Sequence, residues 1–316
     1  MTAESEHFHS TLCNVLSQAT ELLKRHDAVQ AFDILGPALT RVSQIRGGGS
    51  DHREQLGHAR AIAKAHEIFQ IILQDPFSHR AFHKPRGYAG DAVMMDFMYA
   101  GVAPVGTSAL GQTVFAGTTR GTMGLSVLFR RNLLTAYINE VVRTRANFRI
   151  LSVASGHCRE VEGSLLVNPA FALRGEFVAL DQDPESCELV GREYANYPIK
   201  IIHGSVKDLL NGTLSPPGTF DLVYSAGLFD YLDAATSRRL INTLASLIRP
   251  RGKLLIGNFT PTTRERGYMD LLLDWRLIYR SEEELLQLFG SSREPNLRSF
   301  LDPHGNVCYV EWSRPI

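Results

Sequence analysis

From about Phe8 to Phe82 the apolar residues recur at spacings of three and four: Leu12, Val15, Leu16, Ala19, Leu22 and Leu23, then Ile62, Ala65, Ile68, Phe69 and Ile72. That period predicts helices with one apolar face. The stretch IRGGGSD, Ile45 to Asp51, predicts a flexible break between them. In FHKPRGYAGDAVMMDFMYAG, Phe82 to Gly101, Pro85 predicts an extended or turn conformation at Lys84, Gly87 and Gly90 punctuate a loop, and Asp91 stands where it can cap a following helix. Helical spacing returns at Leu125, Leu128, Leu134, Ile138 and Val141.

After that the pattern changes. Short apolar runs at Phe148 to Val153, Glu176 to Leu180, Ile199 to Ile202, Phe220 to Tyr224 and Lys253 to Ile256 predict strands separated by helical patterns or loops. Val161, Leu165 and Leu166 predict a helix behind the first strand, and Ala235 to Ile248 predicts another, stopped by Pro250 and Gly252. Ser281 and Glu284 have the spacing of a capping box for a helix through Leu288, and DWRLIYR just before them reads as the end of an amphipathic helix with Trp275 and Tyr279 packing. Asn296 to Leu301 and Val307 to Trp312, joined by DPHGN, predict an antiparallel hairpin. Five alternating units and a hairpin amount to an α/β fold, a doubly wound, mostly parallel sheet with an antiparallel edge. The expected division is residues 1–120, a helical N-terminal cap carrying the RGYAGD loop, and residues 121–316, the sheet domain.

Composition narrows the function classes. Lys plus Arg and Asp plus Glu are both 33 in a chain of 316 residues, so no net basic field draws it to nucleic acid or an anionic membrane, and the partner expected is a small-molecule substrate. Cys13, Cys158, Cys187 and Cys308 lie far apart without a C-x-x-C pair, which argues against zinc or a disulfide framework and for a reduced compartment. The eleven histidines lack metal-ligand spacing, so no metal is expected. With no apolar run near the roughly 20 residues a membrane span needs, and no basic-then-apolar start, the expected location is cytoplasmic. The helical layer reads equally as a cap over the site or as a homodimer surface.

The stretch RILSVASGHCREVEGSLL, Arg149 to Leu166, carries the first chemical signal. In a doubly wound sheet the ligand lies at the carboxyl ends of the strands, where strand order reverses. A dinucleotide site there needs G-x-G-x-x-G for close backbone approach to a pyrophosphate, yet of that pattern only Gly156 remains, beside Ala154, Ser155 and Cys158. The turn therefore suits a nucleoside better than a pyrophosphate. Asp181 ends the second strand, with Gln182 beside it, where a carboxylate can accept from both ribose hydroxyls; the alternative is that Asp181 or Asp183 caps the next helix. Gly204, Ser205 and Val206 can edge an adenine, and the small residues Ser225, Ala226 and Gly227 leave room beside it.

The order of this turn, the strand-end Asp, HGSV, DLVYSAGLFDYL and LIRPRGKLLIGNF resembles class I S-adenosylmethionine-dependent methyltransferases over roughly Phe148 to Pro315. KPRGYAGDAVMMD together with LDWRLIYRSEEEL is similar to the bacterial 3-hydroxypalmitic acid methyl ester biosynthesis-type family, which carries a helical N-terminal region. The resemblance implies a Rossmann-like sheet of seven strands and S-adenosyl-L-methionine as cofactor. Ser152 stands where the usual acidic residue opens the first motif, and Ala154 and Cys158 replace two of its glycines.

Methyl transfer from a sulfonium leaves a neutral group, so the enzyme positions the reactants and manages the acceptor's proton. Asp91, Asp230 and Tyr88 are the candidate catalytic groups, and Arg86, Tyr231, Asn258 and Tyr268 are candidates to bind the acceptor. Paired carboxylates suit a guanidinium or amine, as in the stand-alone arginine N-methyltransferases of natural-product biosynthesis. Arg86 and a channel of Met94, Met95 and Met98 instead suit carboxyl O-methylation of a 3-hydroxy fatty acid; the methionines otherwise form core. A noncatalytic nucleoside-binding module is the reading from another class, and a nicotinamide oxidoreductase would need the missing glycines.

Overall fold

The computed structural model describes residues 3–43, 50–290 and 296–316, so residues 45–49 of the predicted break lie outside the described residues. The chain divides into two compact units: Met1–Val127 with Thr263–Arg276, and Leu128–Thr262 with Leu277–Ile316.

The first unit is helical. Its elements are α1 (Ala3–Lys24), α2 (Ala28–Ser43), α3 (Ser50–Ala65), α4 (Glu67–Ile72), α5 (Pro76–His83), α6 (Ala92–Ala100) and α7 (Ala109–Arg120). The spacing read in α1 points Leu12, Leu16, Ala19 and Leu23 inward, where they meet α2. Asp75 starts α5 by accepting from the Phe77 and Ser78 amides at 2.9 and 3.0 Å, with Pro76 in the first turn. Lys84 ends that helix in the left-handed region at φ 50° and ψ 58° and opens a turn, the Gly87 amide donating to its carbonyl at 2.8 Å, so of the extended and turn conformations predicted beside Pro85 it takes the turn. Its Nζ donates to the Asp274 carbonyl at 2.8 Å and pairs with the Asp274 carboxylate at 3.5 Å, and Asp274 is itself left-handed at φ 49°. The two sequence blocks around KPRGYAGD and LDWR are thus tied together through a pair of conformationally costly residues.

Asp274 belongs to the 263–276 segment, whose helix α13 (Arg266–Leu271) packs on α2. The contact closes at Gly267, where a Cβ would lie 2.0 Å from the Leu39 carbonyl carbon, while the Gly267 amide donates to Thr40 Oγ1 at 3.0 Å. Beyond it the DWRLIYR block is irregular, not helical; Trp275 is buried with its ring 6.1 Å from that of Phe77.

Helix α8 (Thr122–Thr144) leads into the second unit. There β1 (Phe148–Val153), β2 (Gly175–Asp181), β3 (Ile199–His203), β4 (Phe220–Ser225), β5 (Ile248–Phe259), β6 (Leu297–Leu301) and β7 (Val307–Ser313) form one sheet in the order β3-β2-β1-β4-β5-β7-β6. β1 pairs in parallel with both β2 and β4, and β7 is antiparallel to β5 and β6. β1 and β4 are buried almost throughout, which is why they read as continuous apolar runs, whereas edge strand β3 is only half-buried. β5 starts five residues before the predicted strand and takes in Pro250 and Gly252, with a register shift against β4 between Phe220 and Leu222. The crossovers carry α9 (Pro169–Ala172), α10 (Pro184–Glu193), α11 (Val206–Asn211), α12 (Ala234–Ser246) and α14 (Glu282–Leu286). Leu240, Ile241 and Leu244 of α12 share one core with Leu151, Val153, Val223, Leu254 and Ile256. Strand order reverses between β1 and β4, so the carboxyl ends of β1, β2 and β4 form the crevice where such a sheet takes its ligand.

Candidate active site

The turn leaving β1 is left-handed at three alternate residues: Ala154 at φ 55°, Gly156 at φ 54° and Cys158 at φ 53°. Only the middle one is glycine, so the backbone keeps a glycine-type turn at the cost of about 1–2 kcal/mol for each of the other two. Strain of this kind persists where surrounding structure holds it, as at ligand sites. Here the holding bonds run from neighbouring strand ends. The Ser155 amide donates to the Leu180 carbonyl at 3.1 Å, the Gly156 amide to Asp181 Oδ2 at 2.7 Å, and Ser225 Oγ to the Val153 carbonyl at 2.9 Å. The predicted helix beyond is absent. Cys158, Val161 and Ser164 each donate an amide to the carbonyl three residues back, and the run closes in a 3₁₀ turn at Leu165–Val167.

Asp181 is 7% exposed, and burial raises its pKa from the usual carboxyl value. Its Oδ1 accepts from the Asp183 amide at 2.9 Å, while Asp183 does the capping of α10, accepting from the Glu185 amide at 3.2 Å and from Ser186 Oγ at 2.6 Å. Of the two roles weighed for this pair of acids, the capping of α10 falls to Asp183. A carboxylate has about four acceptor positions, and backbone amides take up part of those on Asp181, so the acid keeps acceptor capacity beyond them. Gln182 is exposed, with its carbonyl 3.1 Å from His203 Nε2. The Ser205 hydroxyl is engaged with Asp208 in the capping box of α11, and Val206 packs on the core.

At the end of β4 the structure adds a residue that sequence reasoning missed. Arg130 of α8 is 8% exposed and donates from Nη1 to the Ala226 carbonyl at 2.7 Å. Gly227 is exposed, and a Cβ there would come within 3.2 Å of that guanidinium nitrogen, so the glycine keeps the space above the arginine open. Asp230, 3% exposed, accepts from the Phe259 amide at 2.6 Å. Burial pushes its pKa up to about 6, against the pull of that amide and of Arg130 and Arg280. Nothing in the spacing of α8 marks Arg130, because an arginine on a helix normally reads as solvated surface.

The remaining acceptor candidates divide. Tyr231 beside Asp230 is 39% exposed. Asn258 is fully buried and spent: its Nδ2 donates to the Phe259 and Ile278 carbonyls at 2.8 and 2.9 Å, and its Oδ1 accepts from Arg280 Nη1 at 2.7 Å. In the first unit, Tyr268 is core. Its ring lies against Phe32 and its hydroxyl is 2.7 Å from Ser78 Oγ, beside the buried Asp75. Asp91 caps α6 through the Met94 amide at 3.2 Å and holds Arg80, whose Nε is 2.8 Å from both carboxylate oxygens. Arg86 and Tyr88 are half-buried in the loop, and Met94 and Met98 are buried core.

A buried acid with spare acceptor positions, a left-handed turn, a glycine that a Cβ would fill and a guanidinium below it fit a nucleoside carrying a zwitterionic tail. Sequence comparison agrees: residues 161–256 match a family described as a methyltransferase domain. No curated protein matches the chain. Among solved structures, a protein of Bordetella parapertussis described as a possible exported protein aligns over 100% of both chains at 16% identity and a TM-score of 0.59. The N-methyltransferase NodS of Bradyrhizobium japonicum with S-adenosyl-l-homocysteine aligns over 60% of this chain and 88% of its own, at 15% identity and a TM-score of 0.42. An O-methyltransferase family protein of Burkholderia thailandensis aligns over 63% and 62%, at 15% and 0.42. The first shares the fold, and the other two are too distant to carry an argument. By its sheet order and its sequence match the second unit is a methyltransferase domain, and S-adenosylmethionine is the cofactor that this class of domain uses. Among the described residues, no helix is long and apolar enough to cross a membrane.

Proposed function

We propose that the protein methylates a nitrogen of a small cationic metabolite, a guanidino or amino group such as that of free arginine, with Asp230 accepting the proton the nitrogen gives up. The observation that carries this reading is the state of Asp230: a carboxylate buried at the end of β4, beside small residues, with its pKa moved to about 6. A general base is most effective when its pKa lies near the working pH. Bound S-adenosylmethionine would supply the electrophilic methyl group. The chain's own residues do the rest: Asp181 takes the ribose hydroxyls, the turn at Ala154, Ser155 and Gly156 shapes the seat, and Ser225, Ala226 and Gly227 keep it open. Asp230 then draws in the acceptor's positive charge and takes its proton, with Tyr231 lining the approach.

In this reading Asp91 is not a base but holds the loop that carries Arg86 and Tyr88 within the helical unit, since Arg80 and the first turn of α6 occupy its carboxylate. Carboxyl methylation of a long acyl chain has less support, because two of the three methionines that would line its channel, Met94 and Met98, are packed as core, with Met95 half-buried. The four cysteines, all free thiols, suit a reducing cytoplasm.

Steady-state kinetics of Asp230→Asn test the assignment. Turnover of a cationic acceptor should fall by about 100-fold, the scale of general-base catalysis, with affinity for S-adenosylhomocysteine unchanged. Full turnover in the variant overturns it.

A further inference from the structure

The sequence of the first turn lacks its acid, since Ser152 holds the position, yet the folded turn has one. Glu160, beyond the three left-handed residues, is 6% exposed, and its Oε1 accepts from the Tyr224 hydroxyl at 2.5 Å. Tyr224 sits directly across from Ser152 in the β1–β4 register, so the Glu160 carboxylate reaches the strand ends at the level where the motif acid is missing. Its backbone is pinned as well: Thr135 Oγ1 of α8 donates to the Glu160 carbonyl at 2.8 Å. Glu160 gives this oxygen to a neutral hydroxyl, and burial raises its pKa, as for a buried acid whose charge a direct cationic partner would restore. Arg130, five residues before Thr135 on α8, acts on Glu160 through space. A negative and a positive group are thereby held at the same strand ends, beside a turn whose strain marks it as a ligand seat.

We propose that Glu160 replaces the acid absent at Ser152, and that Glu160 and Arg130 together seat the zwitterionic amino-acid end of the cofactor, Glu160 taking the ammonium and Arg130 the carboxylate. The proposal rests on the S-adenosylmethionine reading and extends it to two residues outside the turn's own motif. It also explains how the turn tolerates the loss of its acid: the charge is delivered from eight residues further along the chain, carried there by successive turns in place of a helix. A helix over that segment would fix Glu160 on a different heading.

The test compares two ligands by calorimetry: S-adenosylhomocysteine, which has the amino-acid end, and 5′-methylthioadenosine, which lacks it. Glu160→Gln keeps the shape and removes the charge. It should weaken S-adenosylhomocysteine about 10-fold or more, the scale of one hydrogen bond to a charged group, and leave 5′-methylthioadenosine within about twofold. Adding Ser152→Asp to that variant should restore much of the lost affinity, a rescue that a merely structural Glu160 would not allow. Equal weakening of both ligands, or of neither, overturns the proposal. Should Glu160→Gln fail to fold, Arg130→Gln gives the same contrast between the two ligands. A wild-type protein that binds neither compound instead overturns the cofactor reading on which the proposal stands.

Discussion

Asp230→Asn should make the protein more stable at neutral pH while disabling it. The carboxyl is moved by burial from its ordinary 3.8 to about 6, so the native state holds the proton more tightly than the unfolded chain. The stability this contributes is fully present below pH 3.8 and is lost as the pH rises through about 6. At about 1.4 kcal/mol for each pH unit of displacement, the loss at pH 7.5 is about 3 kcal/mol. Asparagine keeps an acceptor for the Phe259 amide and cannot ionise, so it escapes that loss. Urea unfolding of both proteins, followed from pH 4 to pH 8, should give curves that nearly coincide at pH 4, separate in favour of the variant between about pH 4 and pH 6, and stay apart by a constant amount above that. A carboxylate buried at a cost in stability is what a functional acid looks like. Parallel curves across the whole range would refute both the buried, proton-holding state of Asp230 and the reason for choosing it as the base.

Three further outcomes follow from the geometry. Asp181→Asn offers one carbonyl oxygen to two amides, those of Gly156 and Asp183, so it should cost about 1–3 kcal/mol in urea unfolding and weaken S-adenosylhomocysteine in calorimetry; unchanged affinity would remove Asp181 from the site. Ala154→Gly relieves a left-handed alanine and should stabilise by about 1 kcal/mol, whereas a destabilised variant would mean that this conformation is not strained. Asp91→Ala removes a helix cap and the partner of Arg80, so the melting temperature should fall in line with a cost of about 2–4 kcal/mol; lost turnover at unchanged stability would return Asp91 to the catalytic list.

The sheet was legible because its strands carry their own signal. Phe148–Val153 is bounded as the apolar run predicts, and β2, β3 and β4 each differ by a residue or two at their ends. Capping boxes are local too, and Ser281 with Glu284 forms one as read. What failed was set by tertiary contacts. Val161, Leu165 and Leu166 have helical spacing, but a chain of three-residue turns also brings Val161 and Leu166 to the core. DWRLIYR has amphipathic spacing, yet Trp275 is drawn to Phe77 without a helix. At the candidate site, Asp181 was legible as a candidate because it closes a strand. Arg130 and Glu160 were not, because each looks like a solvated charge until α8 and the turn fold against β4. Asn258 and Tyr268 misled for the opposite reason: their polar groups are consumed within the fold, Asn258 by the Phe259 and Ile278 carbonyls and Arg280, and Tyr268 by the Ser78 hydroxyl.

The account is tested most directly by a pH profile of methyl transfer. The protein would be incubated with S-adenosylmethionine and, separately, with free arginine, a simple primary amine and a 3-hydroxy fatty acid, following release of S-adenosylhomocysteine and the mass of the product from pH 5 to pH 8. The account predicts a methylated cationic nitrogen, formed at a rate that rises through about pH 6 as Asp230 ionises. Methylation of the fatty acid alone, or a rate indifferent to pH across that range, would contradict it.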